Sequence, residues 1–204
     1  MSETEHYFTA QPASSDERRV VAVRFAGVDV EVETAGGVFS PDHVDGGTLA
    51  LLRAVPAPPA TGDLLDLGCG WGPVALSLAL ASPDARVWAV DVNERALDLV
   101  RRNAERLGCA NVVAALPDDV PDDVRFDALW SNPPIRVGKD ALHALLLRWL
   151  PRLADDAAAH LVVSKNLGAD SLQRWLGEQL DGRWDVTRVA TDKGFRVLRV
   201  ALRR

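Results

Sequence analysis

The chain has 204 residues, of which 48% are hydrophobic and 25% are charged, and its formal net charge is -6. Such a composition is that of an ordinary globular protein, and the length suits one domain with a full core. The acidic balance argues against bulk electrostatic binding of nucleic acid but leaves room for a local basic face. No apolar run reaches the roughly 18–20 residues that span a bilayer. The first residues also lack the apolar segment of a signal peptide, so we expect a cytoplasmic protein with reduced thiols.

The N-terminal part predicts a hairpin followed by a loop and a short helix. Two segments, "RRVVAVRF" (18–25) and "VDVEVET" (28–34), alternate like strands around a hairpin-type turn. Residues 36–55 are typical of a loop that leads into a helix, for which Asp45 or Thr48 is a suitable N-cap. A connector rich in Pro, Ala and Gly follows at 55–62. We expect residues 1–54 to form a hairpin and covering loop within the same domain as a core of residues 55–204.

After the connector, strand-like and helix-like segments alternate to the end of the chain. The short apolar runs at 64–68, 86–92, 111–116, 126–131 and 159–164 are separated by helical patterns, and residues 184–202 close the chain as two strands around a "TDKG" turn. This order predicts an α/β fold with a doubly wound, mainly parallel seven-stranded sheet, an antiparallel hairpin at its C-terminal edge and the short N-terminal β-hairpin as an extension. Ligands in such folds bind beyond the carboxyl ends of the strands.

Two strand ends carry features of a cofactor site. The segment "DLGCGWGP" (66–73) has the glycines Gly68, Gly70 and Gly72. Pro73 breaks the dinucleotide pattern, and no phosphate-binding G-K-[ST] follows. The acidic Asp66 would repel a pyrophosphate but suits an ammonium or sulfonium group. Asp91, 25 residues later, is placed to accept hydrogen bonds from a ribose. Together they predict S-adenosylmethionine, although a tight turn and a helix cap would explain each feature alone.

The chain resembles the class I methyltransferases, and more closely the methyltransferase small domain family, which contains ribosomal-RNA guanine-N2 methyltransferases. The matching segments are "HYF" (6–8), "GVFSPDHVDGGTLALL" (37–52), "DLGCGWGPVAL" (66–76), "VDVNERALDLVRRN" (90–103), "FDALWSNPPIRVGK" (126–139) and "KGFRVLR" (193–199). The resemblance implies a first set of cofactor contacts: Gly68, Gly70 and Gly72 at the methionine part, Asp66 at its amino group and Asp91 at the ribose. It implies a second set: Phe39, Ser40 and Thr48 in a loop that closes over the cofactor, and Asp118 near the adenine.

The strand at 126–131 runs into Asn132-Pro133-Pro134, which we interpret as the catalytic segment. A base amine or a side-chain amide is a poor nucleophile because its lone pair is delocalised. Two acceptors that hold both N–H bonds turn that lone pair toward the methyl donor. The side-chain carbonyl of Asn132 and the backbone carbonyl of Pro133 suit this task, and the prolines stiffen the loop. A plain turn is the alternative, since Asn favours turns.

The residues after the prolines suggest the substrate. Related motifs carry Phe or Tyr where this chain has Ile135, which offers apolar contact without a face for stacking a base. Arg136 and Lys139 are expected to meet RNA phosphates, although a solvated helix start would also explain them. We therefore expect an S-adenosylmethionine-dependent N-methyltransferase that acts on guanine N2 of ribosomal RNA, with no metal and no membrane partner. The alternatives are a protein glutamine-amide methyltransferase and a cofactor-binding, ribosome-associated module without turnover.

Overall fold

The computed structural model describes residues 17–134 and 137–203. The predicted substrate contacts Ile135 and Arg136 lie outside the described residues, as does the "HYF" segment. Within the described part, none of the helices has the length and apolar character that crossing a membrane requires.

Nine strands and five helices make up the described fold. The strands are β1 (Arg18–Phe25), β2 (Val28–Ala35), β3 (Asp63–Leu67), β4 (Arg86–Val90), β5 (Val112–Ala115), β6 (Phe126–Ser131), β7 (Leu153–Ser164), β8 (Trp184–Asp192) and β9 (Phe195–Leu202). The helices are α1 (Gly46–Ala54), α2 (Pro73–Ala81), α3 (Glu94–Arg106), α4 (Lys139–Trp149) and α5 (Ala169–Gln179).

The main sheet has seven strands in the order β5-β4-β3-β6-β7-β9-β8. The pairs from β5 to β7 are parallel, and β9 pairs antiparallel with both β7 and β8. The chain therefore moves outward from β3 to β5, then returns to place β6 on the other side of β3. This reversal is the topological switch point at which such folds bind ligands. The predicted doubly wound sheet, its C-terminal hairpin and the separate β1-β2 hairpin are confirmed.

Both faces of the sheet are buried, which explains why the central strands are almost wholly apolar. Successive residues of a strand point to opposite faces. Leu64 accordingly packs in the core layer that contains α2 and α3, whereas Leu65 packs in the layer that contains α4 and α5. Packing of these two layers holds the strands in place along their own direction. It thereby sets the positions of the glycine loop and of Asn132, which follow the ends of β3 and β6.

The N-terminal hairpin packs against α3 and the start of α2. The backbone of Glu33 exchanges hydrogen bonds with the buried side chain of Asn103, and the Glu33 carboxylate pairs with Arg102 at 2.8 Å. Phe25 lies with its ring centroid 6.2 Å from that of Trp71. Because β2 is held in this way, the loop after it crosses the carboxyl edge of the sheet.

Candidate active site

The glycine loop joins β3 to α2 at the carboxyl edge of the sheet. Its first two N–H groups, those of Gly68 and Cys69, donate to the carbonyl of Val90 at 2.8 and 3.1 Å. The N–H of Gly70 donates to the Oδ2 atom of Asp91 at 2.9 Å, and the other carboxylate oxygen accepts from Asn93 at 2.9 Å. Asp91 therefore shapes the loop as well as standing at its rim. Burial raises the pKa of its carboxyl.

The glycines of this loop differ in what surrounds them. Gly70 has a φ of +53° and lines the main cavity, and a Cβ atom there would meet no protein atom within 4 Å. That open space is where a ligand can approach the backbone. At Gly72, by contrast, a Cβ would lie 3.0 Å from Val100, so this glycine allows α2 to pack closely on α3. Gly72 is not among the residues that line the main cavity.

Asp66 is buried beneath the loop, with 1% of its surface exposed. Its Oδ2 atom accepts a hydrogen bond of 2.8 Å from the N–H of Ala75 in the first turn of α2. Gly72, the N-cap residue, has no side chain that could accept a hydrogen bond from the first turn of α2. The Asp66 carboxylate accepts one instead. Burial, above all, together with the nearby Asp91, raises the pKa of Asp66 to about 8, although the Ala75 hydrogen bond lowers it. A carboxyl in this state ionises most easily when a positively charged group approaches it.

Asn132 faces the cavity with its amide held in one orientation. Its Nδ2 atom donates to the Oδ2 atom of Asp45 at 2.9 Å and to the Oγ1 atom of Thr48 at 3.1 Å. A carboxylate only accepts hydrogen bonds, so the nitrogen must be on the Asp45 side and the carbonyl oxygen on the other. Asp45 is itself fixed, because its Oδ2 also accepts from the N–H groups of Gly47 and Thr48 at the start of α1.

The catalytic segment is also tied to the glycine loop. The hydroxyl of Ser131 donates to the carbonyl of Leu67 at 2.6 Å, which joins the ends of β6 and β3. A Cβ at Gly68 would lie 3.5 Å from the Cδ atom of Pro134. The ring of that proline therefore fits against the loop without strain.

A cavity of about 310 Å³ opens at this edge, which is the usual size for a small-molecule site. One end is lined by Asp91, Gly70 and Val38, and the other by Asn132, Leu145 and Phe195. Pro133 and Pro134 lie between them on the wall. The cavity thus has room for a cofactor at the glycine loop and for a substrate group at Asn132.

The loop before α1 covers the cofactor end. Three backbone carbonyls of this loop accept hydrogen bonds from side chains. The Ser40 carbonyl accepts from the ring nitrogen of Trp71, the Gly37 carbonyl from the side-chain amide of Asn93, and the Gly36 carbonyl from the Arg95 guanidinium. Phe39 lines the cavity from this loop with 37% of its surface exposed. The loop is therefore held at both the α2 and the α3 side of the site.

Three more predicted site residues do not line the main cavity. Thr48 lines a small side cavity and contacts Asn132 rather than the main cavity. The Asp118 carboxylate is exposed and pairs with Arg148 at 2.8 Å, while its neighbour Pro117 lines the cavity. Its contact with the adenine stays a prediction. Lys139 is exposed at the first residue of α4.

Asp45 and Phe195 are among the cavity-lining residues that did not enter the predicted set. Asp45 was considered only as a helix cap, and its contact with Asn132 joins residues 87 apart in the chain. Phe195 begins β9, and its ring lies over Gly46 and Gly47, where added Cβ atoms would be 3.3 and 3.1 Å from ring carbons. The "KGF" match was the only signal for Phe195.

Comparisons with known proteins identify the family of this chain. The model of the family described as "Methyltransferase small domain" matches residues 29–199. The chain belongs to the methyltransferase small domain family. Membership makes it a methyltransferase that uses S-adenosylmethionine, and both of these predictions are confirmed.

Relatives of this family member include proteins of different length. It is 33% identical over 199 residues to the Bacillus subtilis protein "Uncharacterized protein YbxB", covering 96% of this chain and 98% of that one. It is 36% identical over 121 residues to the Aeromonas hydrophila "Ribosomal RNA small subunit methyltransferase C", covering 58% of this chain and 34% of that enzyme. The chain thus matches only about a third of the length of the rRNA methyltransferase.

A solved structure with the same fold contains ligands. The Thermus thermophilus 16S rRNA N2 methyltransferase RsmC, in complex with AdoMet and guanosine, superimposes with a TM-score of 0.76 at 26% identity. The match covers 91% of this chain and 51% of that one. The family methyltransferase fold is therefore present over nearly the whole described chain.

Proposed function

We propose that this methyltransferase transfers a methyl group to the exocyclic N2 amine of a guanine in ribosomal RNA. The orientation of the Asn132 amide carries the proposal. With its nitrogen bound to Asp45 and Thr48, its carbonyl oxygen is the free acceptor on the cavity side. An acceptor in a fixed direction is what an amine or amide substrate requires.

The residues of the site divide the work between the cofactor and the acceptor. Gly70 offers open backbone at the cofactor end, Asp91 offers carboxylate oxygens to a ribose, and the buried Asp66 favours a nearby positive charge. S-adenosylmethionine, when bound, supplies a methyl group on a positively charged sulfur. The donor is thus already activated, and the protein needs to contribute position rather than a strong base.

At the acceptor end, two carbonyl oxygens receive the two N–H bonds of the amine. We assign these to the side chain of Asn132 and the backbone of Pro133. With both hydrogens held, the nitrogen lone pair points along the remaining direction, toward the methyl group. When the cofactor is bound, the new N–C bond would form as the S–CH3 bond breaks, which would leave a neutral thioether. The methylated nitrogen, then strongly acidic, would lose one proton to water. The gain comes from orientation and preorganised dipoles.

Guanine is favoured over a protein amide by the relatives. The similar Aeromonas protein and the similar Thermus structure are both named as small-subunit rRNA methyltransferases, and the Thermus structure holds guanosine. Phe195 supplies an aromatic ring at the acceptor end of the cavity. Aromatic rings of this kind are common stacking partners for unpaired bases.

The test is mass spectrometry of nucleosides from the rRNA of a deletion strain. We expect one N2-methylguanosine signal to fall, and to return when the wild-type gene but not an Asn132→Ala gene is supplied. If every methylated guanosine keeps its level, the rRNA assignment is wrong. A protein glutamine that loses its methyl group in the same strain would then identify the amide alternative.

A further inference from the structure

The lysines of this chain are few and lie in one region. The 204 residues contain only three lysines, Lys139, Lys165 and Lys193, and every other basic residue apart from histidine is an arginine. All three lysines are exposed. The arginines, by contrast, are spread over the whole chain. The lysines are therefore distributed differently from the other cationic residues.

Two of the lysines lie next to residues that line the cavity. Lys165 directly follows Ser164, the last residue of β7, and Lys193 lies in the turn two residues before Phe195. The N–H of Lys165 donates to the carbonyl of Gly194 at 2.8 Å, which places these two segments side by side. Both Ser164 and Phe195 line the cavity.

Lys139 lies at the same edge of the sheet, after the neighbouring strand β6. It opens α4, seven residues after Asn132, and β6 lies beside β7 in the sheet. Leu145, further along α4, lines the acceptor end of the cavity. The three lysines therefore lie on the loops after β6 and β7 and on the adjoining β8-β9 turn.

The side chains of these three lysines are available to bind a ligand. In residues 17–134 and 137–203, no ion pair or side-chain hydrogen bond engages any of the three. Several arginines, by contrast, are paired, for example Arg102 with Glu33 at 2.8 Å.

The acidic side chains near the mouth are mostly neutralised already. Asp192 pairs with Arg53 at 2.9 Å, and Asp170 pairs with Arg196. Asp140, next to Lys139 in the first turn of α4, is the exposed exception. Asp45 also lines the cavity, with only neutral hydrogen-bond donors among its described partners. The three lysines therefore outnumber these two carboxylates, Asp45 and Asp140, at the acceptor end of a chain whose net charge is -6.

We propose that Lys139, Lys165 and Lys193 form a phosphate-binding rim, here called the lysine rim, which holds the RNA backbone beside the target nucleotide. The inference rests on the proposed function and adds how the substrate is held. Lysine is a flexible point charge that suits phosphates of variable geometry. Because the rest of the chain is acidic, RNA is attracted mainly where the rim lies. The bound strand is thereby directed to the Asn132 end of the cavity.

The experiment compares two triple variants that lose the same charge. The test variant is Lys139→Gln/Lys165→Gln/Lys193→Gln. The control variant replaces Arg125, Arg188 and Arg203 by Gln; these exposed residues lie before β6, in the edge strand β8 and after β9, away from the mouth. Methyl transfer to 16S rRNA from the deletion strain is measured between 50 and 200 mM salt, and S-adenosylmethionine binding is measured by calorimetry.

We expect the rim variant to raise the KM for rRNA at least tenfold, with a much smaller change in kcat and no change in cofactor affinity. The logarithm of RNA affinity falls as the logarithm of salt concentration rises, and each lost phosphate contact makes that slope shallower by about 0.7. Loss of three contacts should make it shallower by about 2. The control variant should keep the wild-type slope.

Two failures are distinguishable. If the wild type methylates no rRNA preparation, the proposed function fails, and the rim with it. If the wild type methylates rRNA but the rim variant keeps the KM and salt slope of the control variant, the lysine rim is refuted while the proposed function stands. A raised KM with an unchanged slope would also refute it, because the lysines would then act through something other than phosphate charge.

Discussion

Removing the Asp45 carboxylate tests how Asn132 is oriented. In Asp45→Ala, the start of α1 loses the cap that Gly47 and Thr48 share, and Asn132 loses its shorter amide contact of 2.9 Å. Loss of an N-cap costs about 1 kcal/mol of folding free energy. A hydrogen bond to a charged group contributes about 1.5–3 kcal/mol. If that contribution orients the acceptor in the transition state, kcat falls about 10- to 150-fold.

The assay separates orientation from stability. Methyl transfer gives kcat and the KM for rRNA, calorimetry gives S-adenosylmethionine affinity, and urea unfolding gives stability. Asp45→Asn keeps an oxygen that can cap the helix and accept from Asn132, so we expect it to recover most of the stability and to lie within about tenfold of wild-type kcat. The matched control is Asn111→Ala, which loses two side-chain contacts to the carbonyls of Ser82 and Ala85 near the opposite edge of the sheet.

We expect Asn111→Ala to lose stability and to keep kcat. Asp45→Ala should lose both, with little change in cofactor affinity. If Asp45→Ala is destabilised as expected but turns over at the wild-type rate, then Asp45 serves only as a cap. The Asn132 carbonyl would then not depend on Asp45 for its orientation in the transition state.

Three further outcomes are expected. Asn132→Ala should leave S-adenosylmethionine affinity within a few-fold and remove most turnover, and a near-wild-type rate would contradict the mechanism. Asp91→Ala should weaken cofactor binding strongly in calorimetry, because both the ribose contact and the Gly70 N–H contact of 2.9 Å are lost; unchanged affinity would refute this role. Burial raises the pKa of Asp66 to about 8, whereas the unfolded carboxyl titrates near about 4. The folded chain therefore binds this proton more tightly, and the free energy of unfolding should fall as pH rises from about 4 to about 8. Asp66→Asn should remove most of that fall in urea midpoints of the cofactor-free protein, and an equal fall in the variant would show that other groups cause it.

Much of the site can be predicted because its backbone elements are encoded locally. The alternation of strands and helices requires the ends of the parallel strands to share one edge, so "DLGCGWG", Asp91 and Asn132 had to meet there. The helix cap at Asn93 is likewise local, since its side chain accepts hydrogen bonds from the N–H groups of Arg95 and Ala96 within three residues. Such features depend on spacing, which is visible in the chain.

Side-chain partners at long range depend on packing and could not be predicted. Gly72 resembles its neighbours in the loop, yet only the approach of Val100 on α3 shows that it serves helix packing. Asp118 has the right position after β5, but Arg148 on α4 draws its carboxylate out to the surface. Sequence spacing predicts where a residue lies along its strand or helix. It does not predict which side chain from another element contacts that residue.

The sequence by itself determined the family and the cofactor, and it predicted the edge of the sheet that carries the candidate site. The tertiary structure decided which way the Asn132 amide points, because that depends on a carboxylate 87 residues away at the start of α1. It also brought the segments that carry three lysines to the same edge of the sheet. Both results follow from the same cause: the order of strands in the sheet, and not distance along the chain, determines which side chains meet.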